Sequence, residues 1–167
     1  MTEGALRRLD DSGVPLLLAR LGVGATFLVL GGNKLADPVA FLKALREYDM
    51  FPPGAPVLMN VTAAALPFAE VACGALLLAG VAVRGTALFL LGLLAAFSLA
   101  IHAHASDLAA AGAQPLCSIV FDCGCGKGLQ NACSALAQNA VLLLLCLVAL
   151  ASRSRRWCLR AEWLRRG

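Results

Sequence analysis

Residues 14–35, VPLLLARLGVGATFLVLGGNKL, decide the fold. A helix needs ~20 mostly apolar residues to cross ~30 Å of hydrocarbon, and this run meets that length. A secretory signal offers only ~7 to 15 apolar residues before an A-x-A cleavage pattern. Here the run is longer, carries Arg20 inside it and is followed by no such pattern, so it reads as a retained span. Working outward, residues 57–83, 85–105 and 132–151 repeat the signal. The whole chain is 60% hydrophobic and 14% charged, whereas soluble domains run nearer ~25% charged. These features predict an all-α integral membrane four-helix bundle whose main partner is the lipid bilayer. They leave no soluble basic domain to present a nucleic-acid surface.

Little chain lies outside the spans: an arm over residues 1–13, a cysteine-bearing loop over 106–131, and a basic tail over 152–167. Lys and Arg placement sets the expected orientation. With the N-terminus inside, the cytoplasmic side holds Arg7, Arg8, Arg84, Arg153, Arg155, Arg156, Arg160, Arg165 and Arg166, against Lys34, Lys43, Arg46 and Lys127 outside. Nine against four predicts a multi-pass protein of a bacterial inner membrane, with both termini cytoplasmic and the loop in the periplasm or cell exterior. The tail, with Trp157 and Trp163, reads as a helix along the inner leaflet.

The first span carries Gly22, Gly24, Gly31 and Gly32, which lets a neighbouring helix approach closely. Gly85, Gly92, Ala96 and Ala100 form a similar stripe on the third span and read as packing. After the first span, Asp37 can cap a helix that Pro38 begins. In residues 39–48, Phe41, Leu42, Leu45 and Tyr48 share one side, and Lys43, Arg46 and Glu47 the other. This pattern predicts a short amphipathic interfacial helix. Phe51-Pro52-Pro53-Gly54-Ala55-Pro56 then turns the chain back into the bilayer.

Four cysteines, Cys117, Cys123, Cys125 and Cys133, crowd the loop before the last span. A non-cytosolic loop is an oxidising setting, where thiols pair or carry electrons. A disulfide inside Cys123-Gly124-Cys125 is strained and suited to exchange, so one of these two is expected to pair with Cys117 or Cys133 while the other attacks or resolves. Two structural disulfides are the plainer alternative. A soft-metal receptor or transporter is another, with Cys117, Cys123, Cys125 and Cys133 as thiolates and His102 and His104 nearby, although the C-x2-C spacing of structural zinc is absent. Residues two apart on a helix point to nearly opposite sides, so both histidines reach one ion only where the helix has unwound. A structural subunit of a membrane redox complex is the third alternative.

Glu70 falls near the middle of the second span, with Pro67, Cys73, Gly74 and Leu77 on the same helical face. A carboxylate there costs ~2.5 to 3.5 kcal/mol on insertion scales, so it needs a partner or a proton. Arg20 is the expected partner, with Lys34 snorkelling to the outer surface. Glu70 and Arg20 together form a candidate site for a quinone or a proton. Cys73 and Cys146, in apolar surroundings, read as packing.

These landmarks resemble the MauE branch of the DoxX-like membrane proteins. The pieces are Arg20, Gly32-x-Lys34-x2-Asp37-Pro38-x2-Phe41, Tyr48-x3-Pro52, Pro67-x2-Glu70-x3-Gly74, Asp122-Cys123-Gly124-Cys125-Gly126, and Asn139 in the last span. The Cys-Gly-Cys element is the most specific. This chain departs from the pattern at Gly126-Lys127-Gly128, where an aromatic and Gly usually follow, and at Gln138, where Arg often precedes the Asn. The resemblance implies a four-span bundle working beside a periplasmic thioredoxin-like protein, as in the maturation of disulfide-rich methylamine dehydrogenase. On that reading Cys123 and Cys125 exchange with the partner, and Cys117 and Cys133 act as a second pair or as the staple of the loop.

Overall fold

In a computed structural model, the structure describes residues 10–48, 51–52, 54–122, 124, 128–154 and 157–158. The order is α1 (Val14–Ala36), α2 (Pro38–Glu47), α3 (Pro56–Ala79), α4 (Val83–Gly112), a 3-10 turn (Leu116–Ser118), β1 (Val120–Asp122), β2 (Leu129–Asn131) and α5 (Ala132–Ala151). Helices α1, α3, α4 and α5 are each long and apolar enough to cross a membrane. The protein is an all-α integral membrane bundle. Its large exposed side chains, among them Leu18, Val29, Phe68, Leu99 and Leu144, face outward from the helices, as a lipid solvent allows.

Helix α1 packs along α3 and α5, and α5 also packs on α4. The α1–α3 contact is close because glycines face each other across it. A Cβ at Gly74 would lie 2.8 Å from the Gly24 carbonyl oxygen, and one at Gly31 would lie 3.1 Å from the Pro67 carbonyl oxygen. Gly24 thus lies beside Gly74 and Gly31 beside Pro67, which fixes the antiparallel register. The stripe on α4 behaves differently. Gly85, Gly92 and Ala96 are exposed, and a Cβ at either glycine would meet nothing within 4 Å among the described residues. They face away from the bundle, because α4 buries Thr86, Ala87, Leu90 and Leu94 on its other side.

Helix α2 forms as its pattern predicts. The Asp37 carboxylate accepts from the Ala40 N–H at 2.9 Å, Pro38 opens the first turn, and Phe41, Ala44 and Leu45 are buried. Phe41 and Leu45 join Ala63 of α3 in a small core cluster, which ties the amphipathic helix to the bundle.

The loop between the last two long helices is shorter than expected. Helix α4 runs on to Gly112, beyond the predicted end at residue 105, since Leu108-Ala109-Ala110-Ala111 are strong helix formers. The remainder folds as the 3-10 turn and an antiparallel hairpin that pairs Val120 with Asn131, Phe121 with Gln130 and Asp122 with Leu129. Asn131 then caps α5, its side chain accepting from the Ser134 N–H at 2.7 Å. At the opposite end, Ser152, Arg153 and Ser154 leave the helical path, so the predicted tail helix does not begin at residue 153. Residues 159–167, with Trp163, lie outside the described residues.

Candidate functional site

The site is built where α1 ends, α2 begins and the hairpin folds back over both. Its floor is an ion pair. The Lys34 ammonium donates to both carboxylate oxygens of Glu70, at 2.6 and 2.8 Å, with the two side chains 4% and 2% exposed. The same ammonium lies 4.9 Å from the Phe41 ring centroid and 5.1 Å from that of Phe97. Both rings turn π faces to a cation held away from water, where such contacts strengthen.

This pairing corrects the expectation that Arg20 serves Glu70 and that Lys34 snorkels. Side chains on a helix lean toward its N-terminus. Lys34 therefore leans back along α1, and Glu70 leans up the antiparallel α3, so the two converge. Arg20, on the same helix, leans the same way as Lys34, which for it means away from Glu70 and toward the end of α3. Its Nε donates to the Leu77 carbonyl at 2.8 Å and Nη2 to the Leu78 carbonyl at 2.8 Å, while Nη1 donates to the Trp157 carbonyl at 2.9 Å and lies 3.3 Å from the Cys158 sulfur. It closes the C-terminal end of α3, where unsatisfied carbonyls and the helix dipole favour a cation. Arg20 and Glu70 do not frame one pocket, since the seven residues from Glu70 to Leu77 span ~10 Å of helix.

Above the ion pair lies the hairpin. Gly124, between the two functional cysteine candidates in the chain, has a left-handed backbone with φ +64°. A Cβ there would lie 3.5 Å from Ala44 and 3.7 Å from the Phe41 ring, so its backbone rests on the face of α2. The Asp122 carboxylate accepts from the Gly124 N–H at 3.0 Å and holds that turn. Cys123 and Cys125 themselves lie outside the described residues.

Cys117, on the 3-10 turn, and Cys133, in the first turn of α5, are bonded to each other. Neither pairs with Cys123 or Cys125, contrary to the expectation drawn from ring strain. The local reason is the hairpin, which returns the chain so that the Ala132 N–H donates to the Ile119 carbonyl at 3.0 Å and leaves the two Cα atoms 5.0 Å apart. That bond also removes Cys117 and Cys133 from a thiolate set for metal. The two histidines are separated by the intact helix: His102 is exposed, whereas His104 packs its ring 5.1 Å from Tyr48 and 5.2 Å from Phe121. Among the described residues, no group of three or more His, Cys, Asp or Glu can hold a metal ion.

Sequence reading gives Asn139 only as part of the family resemblance, with no role, and does not single out Phe97. Asn139 is buried two turns into α5 and donates to the Ser98 hydroxyl of α4 at 3.1 Å, a polar link across the bundle. Phe97 is one apolar residue among many in the sequence, and only its contact with Lys34 distinguishes it.

The sequence matches the family of methylamine utilisation protein MauE over residues 12–152. The chain belongs to the MauE family. No curated protein and no solved structure matches it. The matched span of the MauE family takes in every element from α1 to α5, including Lys34, Glu70 and all four loop cysteines.

Proposed function

We propose that this MauE-family protein is a membrane thiol-disulfide redox component. Cys123 and Cys125 exchange with a thioredoxin-like partner on the non-cytosolic side of a bacterial inner membrane, and both termini of the chain are cytoplasmic. The exchange serves the maturation of disulfide-rich proteins, of which methylamine dehydrogenase is the natural candidate given the family. The observation that carries the reading is the division of labour within the loop. One disulfide, Cys117–Cys133, staples the hairpin, and Gly124 between the other two cysteines rests on Phe41 and Ala44. A stapled hairpin resting on a helix has less chain entropy left to lose when a partner binds. Exchange then proceeds by thiolate attack through a mixed disulfide.

The test is trapping. Cys125→Ser leaves Cys123 without its resolving thiol, and the expected result is an accumulated mixed disulfide with a thioredoxin-like protein, visible on a non-reducing gel and abolished by reductant. If neither Cys125→Ser nor Cys123→Ser yields an adduct in cells, the reading fails.

A further inference from the structure

Between the α1–α2 corner and the β1–β2 hairpin lies a cleft of about 180 Å³, walled by Lys34, Ala40, Phe41, Ala44, Asp122 and Gly124. An engineered cavity of ~150 Å³ holds a benzene molecule, so this space admits one substituted six-membered ring. Charge narrows the chemistry further. Glu70 already neutralises Lys34, and Asp37 and Asp122 add carboxylates to the lining, so a free anion meets no net positive field. Among the described residues no group of three or more His, Cys, Asp or Glu can hold a metal ion there. What fits is a neutral ring with polar ends.

Lys34 supplies the polar contact. An ammonium has three donors, Glu70 accepts two, and the third is available to a carbonyl oxygen in the cleft. Phe41 supplies an aromatic wall. A buried ion pair is a costly way to stabilise a bundle, since apolar residues of similar volume often do as well or better. Its presence beside an open cleft therefore points to a ligand.

We propose that the cleft binds the headgroup of a membrane para-quinone, with the Lys34 ammonium donating to one quinone carbonyl oxygen and the isoprenoid tail remaining in lipid. This rests on the thiol-disulfide reading and names its two-electron acceptor. The loop dithiol loses two electrons and two protons as one S–S bond forms from two S–H bonds. The quinone takes both electrons and both protons and becomes the quinol.

The experiment uses the purified full-length protein in lipid nanodiscs, a photoreactive azidobenzoquinone as probe and decylubiquinone as competitor. The label is expected within residues 33–44 and is displaced by decylubiquinone. Ala40 is exposed, so Ala40→Trp fills the cleft without disturbing the core, and it should lower labelling about tenfold or more. Lys34→Met should lower it comparably in protein that keeps its size-exclusion profile. Labelling unchanged in Ala40→Trp, label scattered over lipid-facing helix surfaces, or equal competition by decylbenzene, which lacks carbonyls, would each overturn the quinone site. Labelling reads binding and not exchange. Loss of labelling with trapping intact removes the quinone alone, and loss of trapping with labelling intact removes the exchange reading alone.

Discussion

The two ends of the α1–α3 pair each bury a cation, and they satisfy it in opposite ways. At one end Arg20, 2% exposed, meets no carboxylate among the described residues and is held by three carbonyl oxygens from two chain segments. At the other, Lys34 meets a full countercharge in Glu70 and two aromatic rings. The planar guanidinium, with five donors in a fork, suits several carbonyls at a helix end, while the compact ammonium suits one carboxylate. The Arg20 end is a structural closure, in which four of the five guanidinium N–H groups meet three carbonyls and the Cys158 sulfur. The Lys34 end keeps a donor beside an open cleft, and it is the end that carries the cysteine hairpin. The contrast teaches that two buried cations on one helix differ by their surroundings, a closed helix end for Arg20 and a cleft for Lys34.

The largest effect that can break this contrast is at Glu70. Glu70→Leu leaves the ammonium buried without a partner and should cost about 3–5 kcal/mol, whereas Lys34→Met combined with Glu70→Leu should recover most of that loss. Thermal unfolding in detergent reads both. If the double variant unfolds as readily as the single, the pair is a structural necessity like Arg20, and the contrast collapses.

Next in size is the staple. Cys117→Ser should destabilise the loop by about 3 kcal/mol, the chain-entropy value for a closed loop of this length. Limited proteolysis between residues 113 and 131 measures it, and the Arg20 end should stay protected. Between the two ends lies the glycine contact: Gly74→Val drives a side chain against the Gly24 carbonyl and the Leu28 N–H, and overpacking there should cost about 1–3 kcal/mol. Both ends should loosen together, which amide hydrogen exchange will register.

Arg20→Lys sharpens the comparison at the closed end. A single ammonium cannot reach all three carbonyls, and the loss should be about 1–3 kcal/mol. The readout is faster maleimide reaction at Cys158, whose sulfur lies beside the guanidinium. The smallest effect is at Asp10. Its carboxyl is held below the usual Asp value, first by the hydrogen bond from the Ser152 hydroxyl and then by the Arg153 N–H. A lowered folded value means the contact contributes fully above the ordinary Asp pKa of ~3.9 and is lost as pH falls through the depressed value. Hydrogen exchange at the Arg153 amide should therefore accelerate only in acid, and Asp10→Asn should abolish that pH dependence.

Much of the fold was legible because lipid imposes simple rules. Length and hydropathy located four spans, Asp37-Pro38 located the start of α2, and Gly24 and Gly31 announced a close contact on α1. The site was legible only in part. Glu70 is legible as costly, but its partner is not, because span depth alone does not give the direction in which side chains lean. The hairpin went unread because its strands are three residues each, too short for an alternating pattern, and the Cys117–Cys133 bond depends on that hairpin. The stripe at Gly85 and Gly92 looked like packing because small residues carry no sign of which face turns inward.

The most direct measurement is labelling of intact cells, after mild reduction, with a membrane-impermeant maleimide. The account predicts that Cys123 and Cys125 react at once, while Cys158 beside Arg20 reacts only after the membrane is permeabilised. The reverse pattern, with Cys158 labelled from outside and the loop cysteines shielded, would contradict it.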